Sequence, residues 1–282
     1  MFRFALVIAA LACVTANSQS VIPEIGVVQS VENDRLLHSF GYRYLVENTS
    51  KFLSPRTVSD SAFERKLTIV KNSAVPFYAC NIFIPGDLKV VGPAVDEAAI
   101  LAYVETVFAR AQKAGIGMII WGSGQSRRLP DGFGRETAKE QFIAIAKKIA
   151  AVASKYNVVL ALENLNTTET NFISTVSEAL EIIKAVNHKN LRLCADIYHM
   201  LKENEPAESI LAAKDYLAYC ELAEKEGRTP PGVQGDNFRP YFSALKKIGY
   251  KGKVVIECRW EDVAKEGLGA YEEVERQLRD VY

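Results

Sequence analysis

The chain has 282 residues, of which 49% are hydrophobic and 24% are charged. These are ordinary values for a globular protein with a sizeable core, in one large domain or two small ones. Lysine plus arginine and aspartate plus glutamate both number 34, so the net charge is zero. A neutral chain has no general attraction to a phosphate backbone, which argues against nucleic acid as the main partner.

The N-terminus is typical of a secretory signal. Arg3 precedes an apolar run over residues 4–14, and small and polar residues follow. The run is too short to cross a membrane as a helix. We therefore expect a signal peptide over residues 1–19 and a mature chain, residues 20–282, that is exported to the periplasm and has no transmembrane segment.

The same segment leaves two details open. Cleavage after Ala16 fits the small-residue rule, and Ser18 is the other candidate. Lipoprotein anchoring at Cys13 is an alternative to a free mature chain, although Ala10 stands where a larger aliphatic residue would be expected.

The mature chain alternates between two kinds of segment. Apolar runs bounded by turn residues predict eight strands, at residues 25–30, 42–48, 75–83, 116–123, 158–164, 191–196, 217–223 and 253–260. Helical periodicity and end signals predict eight helices after them, at residues 34–41, 61–73, 95–115, 135–157, 175 onward, 206–216, 238–248 and about 267 to the end. Capping boxes at 61–64 and 175–178 mark two of the helix starts.

Strict alternation implies a parallel sheet, and eight such units predict an α/β protein with a (β/α)8 TIM barrel as a single domain. A doubly wound sheet of similar length is the structural alternative. Four cysteines remain in the mature chain, each inside an apolar run and without metal-ligand spacing, so we expect buried free thiols: Cys80, Cys194, Cys220 and Cys258.

Polar residues cluster where the predicted strands end. In a barrel these ends share one face, which is where ligands bind. The strand ends carry Glu47, Asn81, Ser123, Glu163, Asp196, Glu221 and Glu257, and the loops beyond them add Arg127, Arg128, His199 and Arg228. Glu221 is preferred to Glu224 because it lies within its strand and alternates away from Cys220, which should face the helices.

Four carboxylates that converge in a buried site would repel one another unless they took up protons or surrounded a cation. An all-oxygen shell suits Mn²⁺ or Mg²⁺ better than a zinc site built on Cys or His. The alternative is that one or two of these acids are salt-bridged wall residues, and Glu221 is the first candidate for that. His199 is either a packed loop histidine or, since it follows Asp196 by three residues, a contact for the substrate.

Four segments resemble one family, the xylose isomerase-like TIM barrels of the sugar phosphate isomerase/epimerase superfamily. They are LALENLN (160–166), CADIYHM (194–200), EGRTPPG (226–232) and GYKGKVVIEC (249–258). The resemblance covers essentially the whole mature chain, and the family includes ketose 3-epimerases and hydroxypyruvate isomerases, to which this chain is similar. In that family, Glu, Asp, His or Gln, and Glu bind one divalent metal, and the two glutamates form the acid/base pair.

Carried over to this chain, the resemblance implies that Glu163 and Glu257 are metal ligands and proton-transfer groups, and that Asp196 is a ligand only. The fourth ligand falls at Glu221, where the family usually has His or Gln, so the site would carry one extra negative charge. The expected cofactor is one Mn²⁺ or Mg²⁺ ion, with Co²⁺ or Zn²⁺ as alternatives. His199 and Arg228 would contact the substrate, and the strand-end positions of Glu47 and Asn81 add them to the substrate-binding set.

The predicted activity is sugar isomerisation or epimerisation through an enediolate, with proton transfer by the two glutamates on a free or keto sugar. A metal-dependent lyase or dehydratase acting on a 3-keto-glycoside shares the same first step and stays open. A non-catalytic secreted sugar-binding protein is the alternative from another class, although binding alone needs no acid/base pair. Three histidines are too few for the two-metal hydride-shift isomerases or the trinuclear-zinc endonucleases. The sequence leaves a homo-oligomer open.

Overall fold

The computed structural model describes residues 21–282 and shows eight parallel strands closed into a barrel. Each strand pairs with its neighbours in chain order, and the last pairs with the first. The strands are β1 (Ile25–Val28), β2 (Tyr44–Asn48), β3 (Phe77–Asn81), β4 (Met118–Trp121), β5 (Val159–Glu163), β6 (Leu191–Asp196), β7 (Leu217–Leu222) and β8 (Val254–Ile256). The predicted single-domain (β/α)8 barrel is confirmed, and the doubly wound sheet is excluded.

Ten α-helices lie within the described residues, two more than predicted. They are α1 (Asp34–Phe40), α2 (Thr49–Phe52), α3 (Asp60–Lys71), α4 (Glu97–Ala114), α5 (Arg135–Lys155), α6 (Val176–Val186), α7 (Ile197–Lys202), α8 (Glu208–Ala212), α9 (Arg239–Lys247) and α10 (Val263–Arg279). The additional helices, α2 and α7, begin directly where β2 and β6 end. No helix among residues 21–282 combines the length and apolarity that a membrane span needs.

Two apolar layers hold the barrel together. The larger packs the outer faces of the strands against the helices and includes Cys80 and Cys220. The smaller fills the barrel interior below the strand ends and consists of Val46, Ala79, Met118, Ile120, Ala161, Cys194, Tyr219 and Val255. The cysteines within the described residues are free thiols, as predicted, and three of the four are buried.

Several predicted boundaries were wrong. Helix α3 is capped by Ser59, whose Oγ accepts a hydrogen bond from the Ala62 N–H, so the box at Ser61 does not start it. Helix α10 begins at Val263 rather than near Gly267, because Asp262 caps it. Strand β8 has only three residues, so Glu257 follows the strand instead of lying in it. The signal-peptide and lipid-attachment predictions fall on residues 1–20, outside the described part of the chain.

Candidate active site

Four acidic side chains form a ring at the carboxyl end of the barrel: Glu163, Asp196, Glu221 and Glu257. Each lies two residues after a member of the interior apolar layer, namely Ala161, Cys194, Tyr219 and Val255. Successive side chains of a strand alternate between its faces, so a residue two positions on points the same way. The pattern of the interior layer therefore aims all four acids into the barrel mouth. We call this set the acid ring.

The acid ring is tight and largely buried. One oxygen from each of its four carboxylates lies within 4.8 Å of the others. Glu163 is 5% exposed, and Asp196 and Glu221 are fully buried. Burial disfavours the charged form and the neighbouring acids add repulsion, so the pKa of Glu163 rises to about 8 and that of Asp196 to about 6. Burial and the same neighbours raise the pKa of Glu221 well above its usual value.

The acid ring contains oxygens that no described residue satisfies. Oδ2 of Asp196 and Oε1 of Glu221 are buried and lack a hydrogen-bond partner among residues 21–282. Buried polar atoms without partners are rare and point to a missing water or ion. Four carboxylates offering hard oxygen ligands at this spacing fit a divalent cation of the Mg²⁺ or Mn²⁺ type. The residues present therefore match the group that the sequence predicted.

The Glu163 carboxylate has room in the site because the residue beside it, Gly122, has no side chain. A Cβ atom on Gly122, just after β4, would overlap Oε2 of Glu163 and lie 3.0 Å from its Cδ. The Glu163 carboxylate therefore rests against bare backbone on the β4 side. Only glycine leaves that space.

Asp196 is fixed through both its backbone and its side chain. Its N–H donates to Oδ1 of Asn164 at 2.9 Å, and its carbonyl accepts from Nδ2 of Asn164 at 3.2 Å. Its Oδ1 accepts the Tyr198 N–H at 2.8 Å and so caps α7. These contacts use one carboxylate oxygen and leave the other facing the acid ring.

His199 lies on α7, not in a loop as predicted. Oδ1 of Asn166 accepts the Thr168 N–H at 3.0 Å, so the Asn166 amide nitrogen must be the group that meets Nδ1 of His199 at 2.9 Å. Nδ1 is then an acceptor, and the proton of the neutral ring is on Nε2. Burial lowers the pKa of His199, which keeps the ring neutral.

Nε2 of His199 is 3.4 Å from Oδ2 of Asp196 and 3.5 Å from Oε1 of Glu163. Glu163, Asp196 and His199 form a second group with metal-ligand spacing. A nitrogen that carries a proton cannot ligate a metal, so the geometry favours the four-carboxylate ring over this second group. His199 instead offers an N–H donor at the edge of the ring.

Glu221 is held from below by a thiol. Sγ of Cys194 donates to Oε2 of Glu221 at 3.6 Å, and both side chains are fully buried. Burial raises the pKa of the Cys194 thiol well above its usual value, so it stays protonated and remains a donor. The prediction that Glu221 faces inward while Cys220 faces the helices is confirmed.

Glu257 is the most accessible acid of the ring and the best paired. Arg228 donates to its Oε2, and Asn81 donates to its Oε1. The Arg228 guanidinium also lies 3.6 Å from Oδ2 of Asp196 and stacks 4.6 Å from the ring centre of Tyr198. The acids around Arg228 raise its pKa further, so it brings a permanent positive charge to the site.

Arg127 is predicted to lie in a loop at the edge of the site, whereas in the structure it is buried behind the ends of β4 and β5. It is fully buried and donates to three carbonyl groups, those of Trp121, Glu163 and Ile173, at 3.1, 2.8 and 3.1 Å. It therefore ties the end of β4 to the end of β5 and to the loop that follows. Burial lowers its pKa to about 10, so it remains charged at neutral pH.

Two cavities open above the ring. The inner one, about 180 Å³, lies over the acids and is lined by Gly122, Ser123, Gly124, Glu163, Leu165, Glu169 and His199. The outer one, about 290 Å³, extends over the ends of β1, β2 and β8 and is lined by Val28, Gln29, Ser30, Glu47, Asn48, Lys51, Cys258 and Arg259. Both are lined by Asn81, Ile82, Arg228 and Glu257, so we call them the inner and outer compartments of one site.

Backbone strain is concentrated at this edge. Ile82, Ser123 and Arg228 have φ values of 50°, 38° and 54°, in the left-handed region. Such a conformation costs a non-glycine residue about 1–3 kcal/mol and is found mainly at functional sites. Ile82 is the most unusual of the three because it is β-branched and also 51% exposed.

The structure gathers most of the predicted site residues but not all in one place. Glu163, Asp196, Glu221 and Glu257 meet in the ring, with His199, Arg228 and Asn81 at its edge. Glu47 lies in the outer compartment instead, where its Oε1 accepts the Asn48 N–H at 2.8 Å.

Sequence reasoning missed three polar residues of the site, Asn164, Asn166 and Glu169, and it considered Glu224 only as an alternative to Glu221. Glu169 lines the inner compartment, with Oε1 3.4 Å from Arg228. Asn164 and Asn166 follow Glu163 in the resembling segment LALENLN, and that was the one signal that could have identified them.

Comparison with known proteins agrees with this fold. A family profile described as a xylose isomerase-like TIM barrel matches residues 36–277. An L-ribulose 3-epimerase from Methylomonas sp. is 36% identical over 116 residues, which is 41% of this chain and 40% of that protein. A ketose 3-epimerase from Arthrobacter globiformis is 34% identical over 40% of this chain and 39% of its own. The alignments thus span less than half of these curated relatives.

Solved structures show the same fold over nearly the whole chain. A D-allulose 3-epimerase from Methylomonas sp. has a TM-score of 0.76 at 21% identity, covering 90% of this chain and 98% of that one. A 3-keto-D-glucoside 4-epimerase from E. coli has a TM-score of 0.73 at 20% identity, covering 92% and 99%. At these identities the likeness concerns the fold.

Proposed function

The chain belongs to the xylose isomerase-like TIM barrel family, and from this membership we propose that it is a metal-dependent sugar isomerase or epimerase. The observation that carries the proposal is the acid ring. In it the carboxylates of Glu163 and Glu257 lie beside those of Asp196 and Glu221, which each have one buried oxygen without a hydrogen-bond partner in the described residues. Sugar binding alone would not require buried acids whose mutual repulsion costs stability. An acid/base pair around one cation does require them.

The acid ring would hold the cation through Glu163, Asp196, Glu221 and Glu257, and its oxygen-only composition supports Mn²⁺ or Mg²⁺. When bound, a divalent cation supplies the Lewis acidity that makes a hydrogen beside a sugar carbonyl removable. Asp196 and Glu221 are the fully buried members, which suits them to holding charge rather than to meeting the substrate.

The proton is moved by the glutamate pair. One of Glu163 and Glu257 takes the hydrogen from the carbon beside the carbonyl, and the other returns a proton to the resulting enediolate. Arg228 holds the Glu257 carboxylate in place through their ion pair, and His199 donates its Nε2–H to a substrate oxygen. Return to the opposite face of the same carbon gives an epimer, and return to the neighbouring carbon gives an aldose–ketose isomer.

Epimerisation is the outcome we propose first, because curated relatives of this chain are named as ketose 3-epimerases. We also propose, from Arg3 and the apolar run over residues 4–14, that the chain is exported and meets sugars without phosphate. The charge of the acid ring is consistent with an uncharged substrate.

A turnover screen tests the proposal. The protein without residues 1–19, supplied with Mn²⁺, Mg²⁺ or Co²⁺, is incubated with free ketoses and with 3-keto-glycosides, and products are identified by NMR. We expect an epimer or isomer to form only with metal, and loss of a β-substituent would identify the lyase outcome instead.

Glu163→Gln and Glu257→Gln should each reduce turnover by at least 100-fold, while Glu226→Gln serves as the control because that side chain is 72% exposed on a loop. Binding of a sugar without turnover under every metal condition would favour the non-catalytic alternative. Full activity in either glutamate variant would refute the assignment of the pair.

A further inference from the structure

We propose that the protein takes a two-unit substrate, a neutral glycoside whose reacting ring lies in the inner compartment and whose second unit occupies the outer compartment. This inference rests on the proposed function and names its substrate class. Its starting point is that Asn81, Ile82, Arg228 and Glu257 line both compartments. A ring that reacts at Glu257 therefore lies at the opening into the outer compartment, and a substituent on that ring can extend into this compartment.

The volumes argue against a single sugar as the complete ligand. Pockets that enclose a drug-sized ligand measure about 300–1,000 Å³. The inner compartment, at about 180 Å³, is well below this range and has room for one small ring. The outer compartment is the larger of the two, at about 290 Å³. A monosaccharide would leave the greater part of the site filled with water.

The outer compartment offers unused hydrogen-bonding groups. Gln29 uses its Oε1 to accept the Ser30 N–H at 2.7 Å, which leaves its amide NH₂ available. Glu47 uses only Oε1, for the Asn48 N–H and for Lys51 at 3.9 Å. The guanidinium of Arg259 is exposed and has no hydrogen bond or ion pair within residues 21–282. Groups of both kinds, donors and acceptors, suit the hydroxyls of a sugar.

A buried acceptor at the boundary also points to a ligand. Asn81 is 3% exposed, and its Oδ1 has no donor within the described part of the chain, although its amide nitrogen is bonded to Glu257. Because Asn81 lines both compartments, a hydroxyl near the link between two sugar units would satisfy it. Beside it, the exposed and strained Ile82 provides an apolar surface for the C–H face of a ring.

The charges of the outer compartment favour a neutral second unit over a phosphate. Three cations, Lys51, Arg228 and Arg259, and two carboxylates, Glu47 and Glu257, line the outer compartment. Arg228 is paired with Glu257, and Lys51 lies 3.9 Å from Glu47, so Arg259 is the one cation of this compartment without a carboxylate partner within residues 21–282. A phosphate would meet both acids as well as the cations. A hydroxyl-bearing unit can use all of these groups as partners without repulsion.

The test compares two probes that share a reacting ring: 3-keto-glucose, and 3-keto-glucose linked to a second glucose. With the Mn²⁺-loaded wild-type protein we expect kcat/KM for the two-ring probe to exceed that for the one-ring probe by at least tenfold. Arg259→Ala and Gln29→Ala should each lower this ratio about three- to tenfold, mainly through KM of the two-ring probe.

Arg65→Ala is the matched control, an exposed arginine on α3 outside both compartments, and it should leave the ratio unchanged. Equal melting temperatures of the variants exclude misfolding as the cause of any change. A wild-type ratio of one or less, or a ratio that neither Arg259→Ala nor Gln29→Ala changes, would overturn the two-unit substrate.

The two proposals fail in different ways. Absence of turnover with both probes would count against the isomerase function. Binding measurements would then test whether the outer compartment holds a second sugar unit. Calorimetric titration of the same probes then answers the question: at least tenfold tighter binding of the two-ring probe supports the outer compartment as a sugar subsite, and equal binding overturns it.

Discussion

At the scale of single residues, the acid ring depends on a position without a side chain. The Glu163 carboxylate occupies the space that a side chain on Gly122 would fill, and it would overlap a Cβ atom there. Gly117, just before the first residue of the same strand, β4, has no atom within 4 Å of an added Cβ. The chain therefore offers a pair of glycines at the two ends of β4, of which only Gly122 lies against the Glu163 carboxylate.

Gly122→Ala should separate function from folding. The added methyl would meet the end of a flexible side chain, so the Glu163 carboxylate would swing away and the free energy of unfolding would change by less than about 1 kcal/mol. A displacement of about 1 Å in a catalytic group can cost 10²-fold in rate. We expect a loss of that order in kcat and weaker binding of Mn²⁺, measured by steady-state kinetics and calorimetry.

Gly117→Ala is the control, and it should keep both activity and metal affinity because nothing lies near its Cβ. If Gly122→Ala turned over substrate as fast as the wild type, Glu163 would not need its observed position. The role assigned to that carboxylate would then be wrong.

Residue-scale prediction from sequence worked where the information is local. The acids of the ring could be found because each lies at or next to the end of an apolar strand, and Glu221 could be oriented by alternation from Cys220. Asn166 and Glu169 could not be given roles, since their partners His199 and Arg228 are 33 and 59 residues away along the chain. Such contacts depend on how the loops fold over the barrel.

At the scale of elements, the loop over residues 223–238 shows how Arg228 is held at the ring. The buried carboxylate of Glu224 accepts the N–H groups of Gly232 and Gly235 at 2.8 and 2.9 Å and the hydroxyl of Thr229 at 2.9 Å. One side chain thereby closes the loop on itself. The strained φ of Arg228 persists because the loop around it is fixed in this way.

Glu224→Ala should loosen this loop. Several backbone donors would lose a charged acceptor, and we expect the free energy of unfolding to fall by about 1–3 kcal/mol. Arg228 would then no longer be held against Glu257, so KM for the substrate should rise. Chemical denaturation and steady-state kinetics measure the two effects.

Glu226→Ala, in the same loop but with its side chain 72% exposed, provides the comparison and should change stability by less than about 0.5 kcal/mol. Equal effects of the two substitutions would show that the buried carboxylate does not organise the loop.

The strands and the long helices could be predicted from apolar runs, periodicity and caps. The short helices α2 and α7 could not, because each begins directly after the last residue of a strand, and that residue is also the N-cap of the helix. Asn48 and Asp196 cap these helices with their own side chains while still paired in the sheet. A helix of four or six residues leaves no periodicity to detect, so the sequence predicts a loop at His199.

At the scale of the whole molecule, closure of the barrel places carboxylates from four consecutive strand ends in one buried site. The alternation of eight strands and helices predicted this closure, because parallel strands that each return through a helix share one edge for all their carboxyl ends. The size and division of the cavity were not predictable, since they depend on loop conformations such as the left-handed Ile82.

Closure also makes the stability of the metal-free protein depend on pH. The folded state keeps a proton on Glu163 up to a pKa of about 8, whereas the unfolded chain releases it near 4.5. Between these values the folded state binds more protons than the unfolded state, so stability falls as pH rises. Asp196, with a pKa of about 6, adds to the loss in the lower half of this window.

Thermal unfolding with and without Mn²⁺ at pH 5.5 and pH 8 tests this coupling. Metal binding needs deprotonated ligands, so the ion should raise the melting temperature more at pH 8 than at pH 5.5. At 100 times its Kd a ligand stabilises the folded state by about 2.7 kcal/mol. A melting temperature that no divalent ion changes at either pH would show that the acid ring is not a metal site.

The proposed activity requires Glu163 and Glu257 to move a proton between solvent and the carbon beside a sugar carbonyl. The most direct measurement is turnover of an accepted substrate in D₂O, followed by NMR of the product. We expect one solvent deuteron on the carbon that changes configuration or on its neighbour, and no incorporation with Glu163→Gln. A product that forms at full rate and keeps the substrate's own hydrogen would rule out this proton transfer.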